Sequence, residues 1–423
     1  MNNDFKIKSA YKLYSLAWRA IIPILKFNKR FADGWNQRIS GENLPSADLW
    51  IQAASVGESY LAIEILNKIN PARRIKVLLT TNTAQGMEIL ESSIENVSAR
   101  DSSISAAAAY FPFDSPFIMK EAVKNVRPEA MILLETELWP ALIKALKEHG
   151  SKIFVVNGRI TQKSLNNYMK LPWLWNYLAP DDILATTEND AKRFRRLFTS
   201  SHIDIMPNIK FDRLKSNTIP ESKATSLGNI VNSDSPFVVL ASIRQDEEKN
   251  VEQIIAYIKA KNTSAVIGLF PRHEQRIRAW EDILRNKGHQ WELRSKVKSK
   301  VSRGTVILWD IFGELTSTYS LATSAFVGGS LKPLGGQNFL EAISCGIVPI
   351  IGPYWDNFLW VGEEICNLGL VRQASSWQEV AKMIFNDLNN PPSRSKIIEK
   401  GLTYVKERQG GTDMACRLIE NAL

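Results

Sequence analysis

Two doubly wound α/β domains are what this 423-residue sequence predicts. Three observations carry that reading. Short apolar runs of strand length alternate with amphipathic helical patterns from Asp48 onward. The alternation lapses in a polar, turn-rich stretch between about Pro207 and Pro236, then restarts for a similar length. The chain is also long enough for more than one core, at roughly 150 residues per domain. A composition of 44% hydrophobic and 23% charged residues supports a sizeable buried interior and excludes disorder, collagen and disulfide-stapled miniproteins. Such a pair of domains is expected to face a ligand cleft at the carboxyl ends of both sheets.

Taken in order, residues 1–40 form a basic, aromatic-rich segment. It holds eight basic side chains and two acids, so it carries six of the chain's nine net positive charges. Lys12, Arg19 and Lys26 interrupt any 20-residue window, which argues against a spanning helix, and no small-residue cleavage site follows. An amphipathic helix lying on an anionic membrane surface is expected. Outside this segment the charge is too slight for a nucleic-acid groove, so no nucleic-acid partner is predicted.

The first domain is expected over 41–206, with strands at Leu49–Ala53, Ile75–Leu79, Ala130–Leu134, Ile153–Val156 and Ile183–Ala185. Helical patterns fall at Tyr60–Ile69, Phe117–Val126 and Leu138–His149. A linker follows at 207–235. The second domain is expected over 236–395, with strands at Phe237–Ala241, Ala265–Phe270, Val306–Leu308, Ala325–Val327 and Val348–Ile351. A helical tail at 396–423 can return to brace the first domain. Three cysteines without C-x-x-C spacing point to a reducing compartment, and four histidines make a multi-histidine metal centre an unsuitable reading.

Chemistry concentrates where strands end. "ASVGES" at Ala54–Ser59 follows the first strand with a small-residue turn and places Glu58 in the first helical turn. The helix macrodipole is expected to keep Glu58 ionised, and an ionised carboxylate can take a proton. "LLETELWP" ends a buried strand in Glu135 and Glu137, whose side chains share one side if the chain stays extended. Crowded carboxylates there must be hydrogen-bonded or used. "NIKFD" at Asn208–Asp212 sets Lys210 between apolar neighbours at the domain junction.

In the second half, "ASIRQDEE" ends a strand with Ser242 and Arg244, and "FPRHEQR" sets Arg272 and His273 at the end of the next, suited to a phosphate. "VGGSLKPLGGQNFLEAISCG" runs from a strand through paired glycines into a helix, with Asn338 and Glu341 three residues apart. The glycines permit close backbone approach to a nucleotide, and Glu341 can accept from two ribose hydroxyls. The stretch matches neither a dinucleotide fingerprint nor a P-loop.

The ordered set "ASVGE", "YFPFDSP", "ETELWP", "NIKFD", "FPRH", "FGEL" and "VGGSLxPxGGxNxLE" resembles the 3-deoxy-D-manno-octulosonic acid (Kdo) transferases. The resemblance runs from about Trp50 to Asn357. It implies the GT-B fold, two Rossmann-like domains that bind acceptor in the first and CMP-Kdo in the second. It further implies transfer of Kdo to a lipid A precursor, lipid IVA, at the cytoplasmic face of the inner membrane. By the same resemblance Glu58 matches the catalytic base, and Glu135 and Lys210 match residues that stabilise the transition state. Pro271 and Arg272, Phe312, Gly313 and Glu314, and Asn338, Phe339, Leu340 and Glu341 match the cytidylate-binding positions.

Displacement by one deprotonated hydroxyl predicts an inverting enzyme. No D-x-D sequence occurs, so no metal and no cofactor beyond the donor substrate is predicted. Two departures stand out: Ser242-Ile243-Arg244 where "STH" is usual, and Gln337 in place of a histidine. The alternative reading is another GT-B sugar-nucleotide enzyme, a UDP-sugar transferase or an epimerase.

Overall fold

The computed structural model describes residues 3–100, 103–214, 227, 230, 231 and 235–423. The chain divides into two compact units, Met1–Leu214 with Arg408–Leu423 and Lys215–Glu407. Most of the expected linker lies outside the described residues.

The first unit runs α1 (Asn3–Leu25), α2 (Trp35–Ile39), β1 (Leu49–Ala53), α3 (Val56–Lys68), β2 (Ile75–Thr81), α4 (Ala84–Arg100), β3 (Ile104–Tyr110) and α5 (Pro116–Val126). It continues through β4 (Ala130–Leu134), α6 (Pro140–His149), β5 (Lys152–Gly158), α7 (Gln162–Tyr168), α8 (Pro172–Tyr177), β6 (Asp182–Ala185), α9 (Glu188–Leu197) and β7 (His202–Ile205). Its sheet is ordered β3-β2-β1-β4-β5-β6-β7 and every pairing is parallel. A parallel sheet needs both faces covered. Trp50, Met131, Leu133 and Val155 pack on one side, and Leu49, Ile51, Ile132 and Leu134 on the other, all of them buried.

The second unit runs β8 (Phe237–Ile243), α10 (Glu248–Lys261), β9 (Val266–Pro271), α11 (Ile277–Asn286), β10 (Trp291–Leu293), β11 (Val306–Leu308), α12 (Leu315–Tyr319) and β12 (Ser324–Val327). There follow α13 (Leu340–Ser344), β13 (Ile350–Ile351), α14 (Glu364–Asn367), β14 (Arg372–Gln373), α15 (Trp377–Asn389) and α16 (Arg394–Lys406). This sheet is also wholly parallel, in the order β10-β11-β9-β8-β12-β13-β14.

Strand order reverses beside β1 and β4 in the first sheet and beside β8 and β12 in the second. Such switch points open a crevice at the carboxyl ends of the strands, the usual ligand position in doubly wound sheets.

The expected tail is divided. α16 stays with the second unit, where Gly401 packs on Ile343. Helix α17 (Gly411–Glu420) returns to the first unit. There Asp212 accepts the backbone N–H groups of Gly410 at 2.7 Å and Thr412 at 2.6 Å. Among the described residues no helix is long and apolar enough to cross a membrane.

Candidate functional site

The crevice of the first sheet begins at β1. Ser55 caps α3, its hydroxyl oxygen accepting the Glu58 N–H at 3.3 Å. The Glu58 carboxylate folds back: Oε1 accepts the Ser55 hydroxyl and Oε2 the Ala54 N–H, each at 2.8 Å. Glu58 is therefore buried in one orientation, with further lone pairs able to accept a proton. The expectation that the macrodipole keeps it fully ionised is overturned. Burial pushes its pKa up to about 7, against the opposing pull of the Ser55 and Ala54 bonds, with Glu135 raising it and Lys210 lowering it.

After β4 the chain does not stay extended. Glu135 takes a left-handed φ of 54°, so a turn rather than strand pleating directs Glu135 and Glu137. Glu135 Oε1 accepts from Lys210 Nζ at 2.7 Å, both side chains about one-fifth exposed. Glu137 is pushed up to about 7, by burial first and then by the Glu58 charge. The neighbouring Trp139 indole N–H pulls the other way by hydrogen bonding to the Glu137 carboxylate.

"NIKFD" explains itself once folded. Ile209 and Phe211 are core residues, and Asn208 Oδ1 accepts the Lys210 N–H at 3.0 Å. Asp212 caps α17, which leaves Lys210 as the residue turned to Glu135. Asn157, with φ 57° at the end of β5, accepts the Ile209 N–H at 3.0 Å and ties this turn to the crevice. Nothing in the sequence marked Asn157, because its role depends on a contact 52 residues away.

The second unit holds a cavity of about 430 Å³ at the carboxyl ends of its own strands. Of the sequence-derived positions, Pro271, Arg272, Phe312, Gly313, Asn338 and Glu341 line it, together with Ser242 and Gln337. Glu341 Oε1 accepts from Asn338 Nδ2 at 2.7 Å and Oε2 from the Thr316 hydroxyl at 2.8 Å, which leaves a lone pair on each oxygen. Arg272 forms no ion pair among the described residues. Phe270 and Trp309 stack with centroids 4.4 Å apart and make an aromatic wall that sequence inspection missed.

Three positions do not line this cavity. Glu314 accepts from Arg294 Nε at 2.9 Å and Nη2 at 3.1 Å, and from the Trp309 indole at 2.9 Å. It acts here as a strut for the aromatic wall. Phe339 is fully buried against Trp355 and Phe358, and Leu340 is buried beside it.

The first glycine pair, Gly328 and Gly329, makes room for a side chain of the protein itself. Fully buried Glu247 inserts its carboxylate into the loop after β12. Oε1 accepts the N–H groups of Gly329 at 2.5 Å and Arg244 at 3.0 Å, and Oε2 that of Leu331 at 3.4 Å. A side chain at Gly328 would meet Glu247 Oε1 at 2.4 Å, and Gly329 has φ 67°. The anion that these amides hold is the protein's own carboxylate, and it locks the β8 and β12 ends together. Among the described residues no group of three or more His, Cys, Asp or Glu side chains is arranged to hold a metal ion.

Comparison with known proteins agrees with this architecture. Residues 27–213 match the family model described as 3-deoxy-D-manno-octulosonic-acid transferase (Kdo transferase). Over 403 residues the chain is 27% identical to a 3-deoxy-D-manno-octulosonic acid transferase of Haemophilus influenzae, covering 93% of this chain and 92% of that one. A second transferase of the same description, from Bordetella pertussis, is 26% identical over 97% of this chain and 99% of its own length. Among solved structures, Anabaena HepE in complex with UDP superposes with a TM-score of 0.55 at 13% identity, covering 88% of this chain and 99% of that one. That likeness concerns the fold, which is GT-B. With two parallel-sheet units, a family match over residues 27–213 and relatives aligned over nearly their whole length, the chain is similar to the 3-deoxy-D-manno-octulosonic-acid transferases.

Proposed function

We propose that this transferase takes Kdo from CMP-Kdo and delivers it, with inversion, to a hydroxyl of a lipid A precursor, lipid IVA, without a resident metal ion. The observation that carries the reading is Glu58, a buried carboxyl held in one orientation beside the Lys210–Glu135 pair. An acceptor hydroxyl is a weak nucleophile until its proton is taken, and a base poised near neutrality is suited to that step. Glu58 receives the hydroxyl proton as the acceptor oxygen bonds to the anomeric carbon. The bond from that carbon to the cytidylate oxygen breaks, and CMP leaves with the electron pair. Charge growing on phosphate is matched by cations such as Arg272, which lines the second-unit cavity. The aromatic wall and the Glu341 carboxylate suit the second-unit cavity to a cytidine, with Glu341 accepting from ribose hydroxyls.

The reading also places the enzyme at the cytoplasmic side of the inner membrane, lying on the surface. Helix α1 exposes Phe5, Leu13, Leu16, Ile21 and Ile24, with Phe27 just beyond its end, and carries exposed Lys8, Lys12 and Arg19. Apolar and basic groups together suit an anionic lipid surface.

The deciding experiment incubates the purified chain with CMP-Kdo and lipid IVA, with a relative of known activity alongside. CMP release and a product one Kdo heavier are expected, undiminished by EDTA, with the anomeric configuration inverted by NMR. No CMP release while the relative turns over would refute the proposal.

Two further outcomes follow from the geometry. As a base, Glu58 works when deprotonated, so kcat/KM should rise with pH through about 7. Replacing Glu137 by Gln removes a like charge and should slide that limb to lower pH; an unmoved limb would show that Glu137 is not coupled to Glu58. Glu341→Ala should weaken CMP binding by roughly tenfold to a hundredfold, the scale of lost hydrogen bonds to a charged group, with kcat at saturating donor little changed. Titration calorimetry with CMP is the check.

A further inference from the structure

Two hydrogen bonds tie described residues of helix α1 to the rest of the first unit, and both lead to the same place. The Tyr11 hydroxyl donates to the Pro140 carbonyl at 2.5 Å. The Tyr14 hydroxyl donates to Asp114 Oδ2 at 2.9 Å, and Trp18 stacks on Phe113 with centroids 5.7 Å apart. Asp114, 1% exposed, also accepts the N–H groups of Ala141 at 3.0 Å and Leu142 at 2.8 Å.

Those two amides are orphan donors of the first turn of α6. Pro140 has no N–H to offer, and the N-cap residue Trp139 supplies no side-chain cap. A carboxylate 26 residues upstream therefore caps α6, and α1 holds that carboxylate. Burial and the Asp114 charge push both phenols well above their ordinary range, so they remain donors at any physiological pH. Immediately before this clamped turn lies the loop Glu135–Trp139, which carries Glu135 on Lys210 and Glu137, whose carboxyl feels the Glu58 charge.

We infer that Tyr11, Tyr14 and Asp114 are positioning residues through which α1 sets the place of the Glu135–Trp139 loop. The helix that presents an apolar face to lipid thereby also aligns the carboxylates beside the base. This rests on the reading of that loop as part of the transferase site. The mechanical reason is short leverage: a reacting group displaced by about 1 Å can lose as much as 10²-fold in rate.

The test uses the full chain, with the double variant Tyr11→Phe/Tyr14→Phe and, separately, Asp114→Asn. Both keep side-chain shape, and neither alters the exposed apolar face. Partition onto phosphatidylglycerol–phosphatidylethanolamine vesicles, the thermal midpoint, kcat and both KM values are measured. The expected result is a kcat lowered by about tenfold per folded molecule, with vesicle binding and donor KM as in the parent. A kcat equal to the parent's in the folded tyrosine variant would overturn the inference. So would a loss that only tracks the fraction of unfolded protein, or lost vesicle binding with kcat retained on detergent-dispersed acceptor. Glu58→Gln serves as the control: if it turns over like the parent, the reading of the site has failed rather than the role of α1.

Discussion

Glu58→Gln is expected to reduce turnover by about 10³-fold while CMP binds as tightly as to the parent. The amide can still accept at one oxygen, from the Ser55 hydroxyl or the Ala54 N–H, so α3 stays capped and the fold persists. What disappears is the proton acceptor. The second unit, which carries the cavity proposed for cytidine, is untouched by the change. Single-turnover CMP release and calorimetry with CMP separate the two effects. A variant that retains more than about a tenth of parental turnover would sink the assignment of base, because general-base catalysis is worth 10²-fold or more.

The same substitution should raise stability. Glu58, Glu137 and Asp114 have ordinary values of 4.5, 4.5 and 3.8, and burial lifts each to about 7. The folded chain thus binds more protons than the unfolded one between about pH 4 and pH 7, and stability declines as pH rises through that window. Removing one of these groups removes its share of the decline. Glu58→Gln should therefore melt at a higher temperature than the parent at pH 8, with the difference shrinking towards pH 4.

Glu247→Ala should be the most damaging change in the second unit. It leaves the Gly329, Arg244 and Leu331 N–H groups buried without an acceptor, each costing about 1–3 kcal/mol. A loss of several kcal/mol should lower the thermal midpoint by several degrees or more and weaken CMP binding, since Ser242 lines the cavity from β8 and Gln337, which also lines it, sits close to Gly329. Gly328→Ala drives a methyl into the same carboxylate and should give the same donor phenotype. Normal CMP affinity and melting in both variants would show that the loop holds its shape without the carboxylate.

How much of this was legible beforehand can be traced strand by strand. The ten strands named from sequence are the interior ones, β1, β2, β4, β5 and β6 in one sheet and β8, β9, β11, β12 and β13 in the other. Each is an unbroken or nearly unbroken buried run, because a central parallel strand is covered on both faces. The four that escaped notice are the sheet edges β3, β7, β10 and β14. Their residues are largely half-buried or exposed, and β3 is mostly alanine, so no apolar run announces them.

For the site, the sequence alone determined which strand ends carry chemistry. Glu58, Glu135, Lys210, Arg272 and Glu341 all follow short apolar runs or turns, and charge after a buried strand is a local pattern. Only the tertiary structure decided what each carboxylate does with its oxygens. Glu247 fills the glycine loop, Asp114 caps a helix 26 residues away, and Asp212 caps one nearly 200 residues away. The physical reason is that strand and helix periodicity arise from neighbours in the chain. A buried carboxylate's partners and proton affinity are set by whatever the fold brings within about 3 Å, and local sequence holds no record of that distance.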